Sequence, residues 1–167
     1  YLTENVDEFA LKIMNEYEGK KFMNVCDQSL DLDSEDEKKA LEEENKQFEE
    51  LFSYMKEALG DKVNAVRFTN KLSNHPVCLT SEGGISLEME KTLNAMPGAD
   101  QKVKAQLVLE INSTHAVAEK LKSIYDNDKE ALAKYTKLLY NSACLIGGRT
   151  IDDPLEHSNL ICELITK

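Results

Sequence analysis

Near the end of the chain, apolar side chains recur at steps of three and four residues, the spacing that places them on one face of a helix. One such helix runs to Ile146, and Gly147 and Gly148 end it because glycine adopts the left-handed conformation of a C-cap. Asp153 and Pro154 then begin a second helix as its cap and first residue. The two apolar stripes contain Leu132, Tyr135, Leu138, Leu139, Ser142, Leu145, Ile146, Leu155, Leu160, Ile161, Leu164 and Ile165. Little chain remains to cover faces this wide, so we expect a partner subunit to cover them.

The beginning of the chain predicts a strand–helix–strand fragment. The opening residues YLT resemble the end of a strand, and Asn5 with Glu8 three positions later resembles the capping box of a helix that continues through Tyr17. Residues 21–25 predict a second strand. About 30 residues bury too little surface to fold alone. We therefore interpret residues 1–32 as the tail of a preceding domain.

An acidic run marks the boundary of the next domain. Residues 31–50 hold ten acids and three lysines, which gives a net charge of −7 out of −11 for the chain. Such a run is typical of a solvated linker or helix face. Within it, Ser34 followed by Glu37 predicts a helix N-terminus, and the apolar spacing continues that helix to Leu59. Residues 33–167 are predicted to form one domain.

The middle of the chain predicts a small sheet. Residues 63–69, 77–80 and 106–111 read as strands, with a short helix over 85–96 between the last two. Asn112 is predicted to cap the helix that follows the third strand. The resulting order is typical of an α+β fold: a small mixed sheet of about three strands with helices, ending in the two apolar helices.

Composition excludes several classes of partner. A net charge of −11 and a pI near 4.8 argue against nucleic acid or an anionic membrane as the main ligand. The sequence shows no apolar run of the roughly 20 residues that a membrane span needs, and no signal peptide. With 41% hydrophobic residues, the chain has enough material for a core. We expect a cytoplasmic protein.

The sequence offers little catalytic chemistry. The cysteines lack CxxC spacing and lie in apolar contexts, so we expect reduced, buried thiols; they are Cys26, Cys78, Cys144 and Cys162. The histidines are scattered, which argues against a metal site. Neither glycine pair has the pattern of a phosphate loop. One alternative is a small cysteine hydrolase with His75 beside Cys78, but a surface histidine next to a core cysteine is the simpler interpretation.

The short helix over 85–96 has two interpretations. Ile85, Met89, Leu93 and Met96 form one stripe, which ordinarily indicates core packing. The helix is only about three turns long, is flanked by glycine-containing loops, and uses methionine, a side chain suited to adaptable binding surfaces. The second interpretation is therefore a binding helix.

Several segments of the chain resemble the C-terminal part of the heat-shock protein 90 family, with loop lengths most like those of its bacterial members. They are YLTENVDEF, EYEGKKF, ALGDKVNAVR, KLSNHPVCL, SLEMEKTLNAM, LEINSTH and LLYNSACLIGGRTIDDP. The resemblance implies that residues 1–32 end the middle domain and that 33–167 form the C-terminal dimerisation domain. It places ATP and Mg in an N-terminal domain upstream, so we expect neither an enzyme nor a cofactor in this chain.

The resemblance also implies partners and sites. It implies a homodimer through an intersubunit four-helix bundle, and we select as its interface Leu138, Leu139, Ser142, Leu145, Leu160, Ile161 and Leu164. It implies that partly unfolded client proteins bind Glu8, Phe9, Lys12, Ile85, Met89, Thr92 and Leu93. Lys12 and Thr92 depart from the residue types expected there, and Ser113 replaces the family's usual proline. The alternative is a purely structural dimerisation coupler without client contact.

Overall fold

In the computed structural model, the described residues are residue 4 and residues 7–23, 34–96 and 103–166. The chain divides into two compact units. The first unit consists of residues 1–32 and 80–106, and the second consists of residues 33–79 and 107–167. The predicted strand over residues 1–3, the Asn5 cap, residues 24–25 of the strand predicted over 21–25, and Cys26 lie outside the described residues.

The first unit contains helix α1 (Asp7–Met14), the short strands β1 (Glu16–Tyr17) and β2 (Lys20–Lys21), and helix α4 (Leu87–Ala95). Strands β1 and β2 pair as an antiparallel hairpin. The prediction that the first helix continues through Tyr17 is therefore wrong. The helix ends at Met14 because Asn15 adopts a left-handed conformation with φ 58°, which asparagine tolerates better than most residues.

The second unit holds most of the helices and a sheet. Its helices are α2 (Glu35–Gln47), α3 (Glu49–Leu59), α5 (Ala116–Asn127), α6 (Lys129–Ile146) and α7 (Pro154–Ile165), with a 3₁₀ turn at Gly60–Lys62. The sheet has the strand order β3 (Ala65–Thr69), β5 (Gln106–Asn112), β4 (Val77–Glu82). Strand β3 is parallel to β5, in a register that runs from Ala65↔Val108 to Thr69↔Asn112. The predicted α+β class with a three-stranded sheet is confirmed.

The core of the second unit is built on the central strand β5. Its residues 107–112 are all buried, as expected for a strand covered on both faces. Phe68 on β3 lies beneath α3, where the Phe52 ring packs edge-on at 4.8 Å between centroids. The side chains that are almost completely buried here include Leu51, Met55, Phe68, Leu109, Ile111, Leu121 and Leu132.

The predicted helix from Ser34 to Leu59 is divided in two. Ser34 and Glu37 form the expected capping box at the start of α2. At Phe48 the backbone leaves the helical conformation, with φ −105° and ψ 20°, and α3 begins at the next residue. The Phe48 ring packs edge-on against Phe68 at 5.9 Å. Helix α2 buries no residue fully, whereas α3 buries four.

The predicted Asn112 cap is wrong, because His115 caps α5 through its Nδ1, which accepts from the Val117 N–H. The Asn112 side chain is buried and holds the β3–β4 loop instead. Its Nδ2 donates to the carbonyl oxygens of Leu72 and His75 at 3.0 and 3.2 Å. The Asn112 Oδ1 accepts hydrogen bonds from the backbone N–H and the hydroxyl of Thr114. Both polar atoms of this buried side chain are therefore paired.

The start of α7 is as predicted. The Asp153 carboxylate accepts from the Glu156 N–H at 2.8 Å, and Pro154 occupies the first turn. Gly148, with φ 66°, lies just beyond the end of α6 in the left-handed conformation that its position requires. The two terminal helices therefore meet at a tight connection, which brings α7 back against α6.

Candidate functional sites: an apolar face on the terminal helices and a methionine surface

The end of α6 and the length of α7 leave five large apolar side chains exposed. We call this set the terminal-helix face, and it consists of Leu145, Ile146, Leu155, Ile161 and Ile165. Leu155 and Ile165 are 71% and 78% exposed, although each would gain from burial. Exposed apolar groups collected on adjacent helices indicate a protein-interaction surface.

The opposite side of α7 is held by polar bridges to α6. Lys134 Nζ lies 2.7 Å from Glu163 Oε2, and Lys137 Nζ lies 2.7 Å from Glu156 Oε1. Among the described residues of α7, Leu160 alone is fully buried. Leu160 and these two bridges mark the side of α7 that faces α6, whereas Leu155, Ile161 and Ile165 are exposed and Leu164 is half-buried.

The residues predicted for the dimer interface fall into three groups by burial. Leu145 and Ile161 belong to the exposed terminal-helix face. Leu138, Ser142 and Leu164 are half-buried. Leu139 and Leu160 are already buried within one chain, at 8% and 7% exposure, so a charge at Leu139 would damage the chain's own core. The participation of all seven in a dimer stays a prediction.

Sequence reasoning omitted Leu155, Ile146 and Ile165 from the interface. All three belong to the periodic apolar stripes, so the pattern contained them. The pattern does not show how each helix is rotated about its axis. When an apolar stripe is wider than one contact face, the sequence does not show which of its residues pack against the rest of the chain. The buried Leu160, together with the ion pairs between α6 and α7, shows that rotation.

The inner side of α6 carries two buried ionisable groups. Burial raises the pKa of the Tyr140 hydroxyl, and burial likewise raises the pKa of the Cys144 thiol. Both groups are therefore neutral near pH 7, which suits packing and not nucleophilic chemistry. Cys144 is buried as predicted, but Cys162 on α7 is exposed, so the expectation of buried thiols is wrong for Cys162.

In the first unit, α1 and α4 are joined through Lys12. Its Nζ donates to the Gly84 carbonyl oxygen at 2.9 Å and lies 2.9 Å from Met89 Sδ. Glu8 and Phe9 precede Lys12 by four and three positions on α1, so they share its side of the helix. Leu93 follows Met89 by four positions on α4. The structure thus brings together two segments that lie more than 70 residues apart in sequence.

The residues around this contact are partly exposed. We call them the methionine surface: Glu8, Phe9, Lys12, Ile85, Met89, Thr92 and Leu93. Except for Lys12, which is exposed, each is half-buried, and α4 buries none of its residues fully. Fully buried residues would favour the core-packing interpretation of the helix, and fully exposed residues would favour the binding interpretation. Half-buried residues do not decide between the two.

Further apolar exposure in the first unit was not predicted. Ile13 is 86% exposed, and large side chains near it in sequence are also open to solvent; they are Met14, Tyr17, Phe22 and Met23. The helical spacing of apolar residues in the sequence placed Ile13 and Tyr17 on one face of one continuous helix. Because the chain turns at Asn15 into a hairpin, the two residues do not share a helical face.

The hydrolase alternative finds no support in the geometry around Cys78. Its Sγ lies 3.9 Å from Glu110 Oε2, and the buried Glu110 accepts from Arg67 Nη2 at 2.6 Å. The carboxylate nearest the thiol is therefore already occupied by an ion pair with Arg67. His75 is exposed and contributes its backbone carbonyl to the loop that Asn112 holds.

Metal sites and membrane spans are two other classes of functional feature. Within residues 7–23, 34–96 and 103–166, no cluster of three or more histidine, cysteine or acidic side chains is arranged to hold a metal ion. The helices described there include none that is both long and apolar enough to cross a membrane. The two apolar surfaces therefore remain the candidates for function.

Comparison with known proteins defines the class. A family described as Hsp90 protein matches residues 1–167, so the chain belongs to the Hsp90 family. It is 50% identical to the chaperone protein HtpG of Clostridium perfringens and 48% identical to that of Bacillus velezensis, in each case over 165 residues. The HtpG of Bacillus subtilis is 47% identical over the same length. Each alignment covers 99% of this chain and 26% of the relative, so the chain spans about a quarter of these proteins.

Proposed function

We propose that this chain is the homodimerisation and client-contact module of an ATP-dependent chaperone of the cytoplasm. In this proposal, residues 33–167 hold two protomers together through an intersubunit four-helix bundle, and residues 1–32 end the domain that precedes it. The observation that carries the proposal is the terminal-helix face. Its exposed side chains lie on helices that are anchored on their other side, as a permanent interface requires.

The energetics favour association through this face. A large apolar side chain that becomes fully buried contributes about 1.5–3 kcal/mol. The five side chains are 37–78% exposed, so each protomer gains part of this amount per side chain, and the two protomers together reach the range of the association cost of about 4–15 kcal/mol. In a twofold-symmetric dimer both protomers use the same face. Each side chain buried at the interface would therefore contribute its burial free energy twice.

Mass in solution, measured across a range of concentrations, tests dimerisation. We expect the wild-type chain to have twice the monomer mass at tens of micromolar, and Ile161→Glu or Leu155→Glu to be monomeric because each would bury an unpaired charge. Both sites are exposed within one chain, so folding should survive. Gln47→Glu, which adds the same charge on exposed α2, is the matched control and should stay dimeric. A wild-type chain with monomer mass, or dimeric charge variants, would refute the interface.

A second activity, contact with partly unfolded client proteins, is favoured by the methionine surface. Lys12 brings α1 to Met89 and the Gly84 loop, so residues from both segments are available on one unit. Methionine adapts its shape to different apolar partners. One such surface on each protomer would allow two weak contacts to act on one client. The alternative, a structural coupler, assigns these residues to packing alone.

The ATPase activity of the parent chaperone is assigned to the part of the protein that precedes this chain. Neither glycine pair has the spacing of a phosphate loop, and we expect the isolated chain neither to bind nor to hydrolyse ATP. Calorimetry with millimolar Mg-ATP is the check. Saturable heat of binding would mean that this chain contains a nucleotide site, and the assignment would be wrong.

A further inference from the structure

The methionines of this chain are unevenly distributed between the two units. Four of the five belong to the first unit, and only Met55 belongs to the second. Met55 is completely buried, whereas Met14, Met23 and Met96 are each about half exposed. Thioethers at a surface are open to oxidants, and a sulfoxide converts an apolar side chain into a polar one. Among the methionines, peroxide would therefore act on those of the first unit and spare Met55.

Met89 differs from the other methionines because a cationic donor lies beside its sulfur. Lys12 Nζ is 2.9 Å from Met89 Sδ, and the contact is on the exposed side of the unit. A thioether is only a weak hydrogen-bond acceptor. A sulfoxide oxygen at the same place would be a strong one, and a bond from an ammonium group is stronger than one between neutral groups.

Thr92 gives this side of α4 a second donor. It follows Met89 by three positions and so lies on the same side of the helix. Its hydroxyl oxygen is buried and has no hydrogen-bond partner among the described residues. Lys12 therefore supplies the donor on the exposed side of Met89, and the Thr92 hydroxyl is a second, buried polar group on the same helix.

We propose that Met89 is a peroxide-sensitive modification site, in which Lys12 binds the oxygen of methionine sulfoxide. In the reaction a sulfur lone pair bonds to one oxygen of hydrogen peroxide while the O–O bond breaks. The departing oxygen leaves as hydroxide and takes up the proton lost by the transferred oxygen, which gives water. Sulfur is oxidised by two electrons and the peroxide is reduced. Methionine sulfoxide reductases reverse the change.

A fixed donor on one side of the sulfur has a stereochemical consequence. The two lone pairs of a thioether give two sulfoxide epimers, and each of the reductases MsrA and MsrB acts on one of them. Lys12 Nζ lies on one side of Met89 Sδ, so an oxygen added on that side, to which Lys12 would donate after drawing back, belongs to one epimer. Met14 and Met96 are exposed and serve as internal comparisons in the same sample.

The test oxidises the folded chain with hydrogen peroxide and measures each methionine by peptide mass spectrometry before and after treatment with MsrA or MsrB. We expect Met55 to resist oxidation and Met89 to be oxidised, with one reductase restoring at least several times more Met89 than the other. Lys12→Leu should abolish that preference, and Lys12→Arg should keep it. Equal repair of wild-type Met89 by both reductases, a preference that persists in Lys12→Leu, or no oxidation of Met89 would overturn the proposal.

The functional consequence rests on the proposed client contact. Oxidised chain should bind a chemically unfolded reporter protein several-fold more weakly than reduced chain, and Met89→Leu, which cannot form a sulfoxide, should lose less on oxidation. If reduced wild-type chain does not bind the reporter at all, client contact fails while the epimer result still decides the modification site. If binding is present and oxidation leaves it unchanged, the regulatory consequence is wrong.

Discussion

The terminal-helix face and the methionine surface both expose apolar side chains, but they are supported differently. Helix α6, behind the terminal-helix face, is packed into the second unit through Leu132, Leu139 and Ala143, all buried. Helices α1 and α4, which carry the methionine surface, bury no residue fully. The α6 part of the terminal-helix face is therefore backed by a core and α7 is anchored at Leu160, whereas the methionine surface is carried by two helices without a fully buried residue.

This difference separates two kinds of binding. A rigid, preorganised surface loses little conformational freedom when it associates, which favours a single permanent partner. Elements with few buried contacts open at low cost, and such regions supply ligand-binding segments. Methionine extends that adaptability to the side chains. Under the proposed function, the second unit would dimerise and the first would make the variable client contacts.

The largest expected effect tests whether the second unit has a hydrophobic core that the helices of the methionine surface lack. Leu109→Ala, at a fully buried position of β5, should lower the free energy of unfolding by about 2–5 kcal/mol. Leu93→Ala on α4 should cost less than about 1 kcal/mol, because Leu93 is only half-buried and leaves no closed cavity. Urea denaturation followed by circular dichroism measures both variants. Similar losses in the two would show that the first unit has a core of its own and would remove the contrast.

A smaller effect is expected for Met89→Glu. The new carboxylate would lie within reach of the Lys12 ammonium, so it would not be unpaired, and thermal stability should change by no more than roughly 0.5 kcal/mol. Binding of an unfolded reporter protein should weaken because an apolar contact becomes charged. Thermal melts and fluorescence titrations of the same samples measure the two quantities.

The control for that experiment removes the compensating charge. In Lys12→Leu/Met89→Glu the carboxylate loses its partner. If α4 is a binding helix, stability should still change little, because the side chain can turn to solvent. A loss of several kcal/mol in the double variant would identify α4 as a packing helix and would favour the structural coupler.

Much of the fold was predictable from the sequence because local signals agreed with tertiary packing. The Ser34–Glu37 capping box and the Asp153–Pro154 helix start depend on neighbouring residues only, and both are present. The misplaced helix start at Asn112 has a tertiary cause. The Asn112 side chain donates to carbonyl groups more than 35 residues earlier in the chain instead of capping the helix. The local sequence does not reveal such distant partners.

The candidate sites were only partly predictable for a related reason. Periodicity identified the apolar stripes of α6 and α7, but it did not show that Leu160 is covered internally while Leu155 is exposed. The resemblance supplied Lys12 and Met89 as members of one site. It did not supply the contact between their side chains, which requires two segments distant in sequence to meet.

The smallest expected effect concerns α2, a helix of the second unit that has a cap but no buried residue. The side-chain hydroxyl of Ser34, followed by its backbone N–H, donates to the Glu37 carboxylate and lowers the pKa of Glu37. A folded-state pKa below the unfolded value means that the stabilisation is present above the unfolded value and is lost as the pH falls through the folded one. The first turn of α2 should therefore open in acid while the buried core of the second unit persists. Amide exchange of residues 35–38 measured against pH reports this opening. Glu37→Gln should remove the dependence, because glutamine can complete a capping box and does not titrate. If acid instead loosened α2 and β5 together, α2 would be coupled to the core despite lacking a fully buried residue.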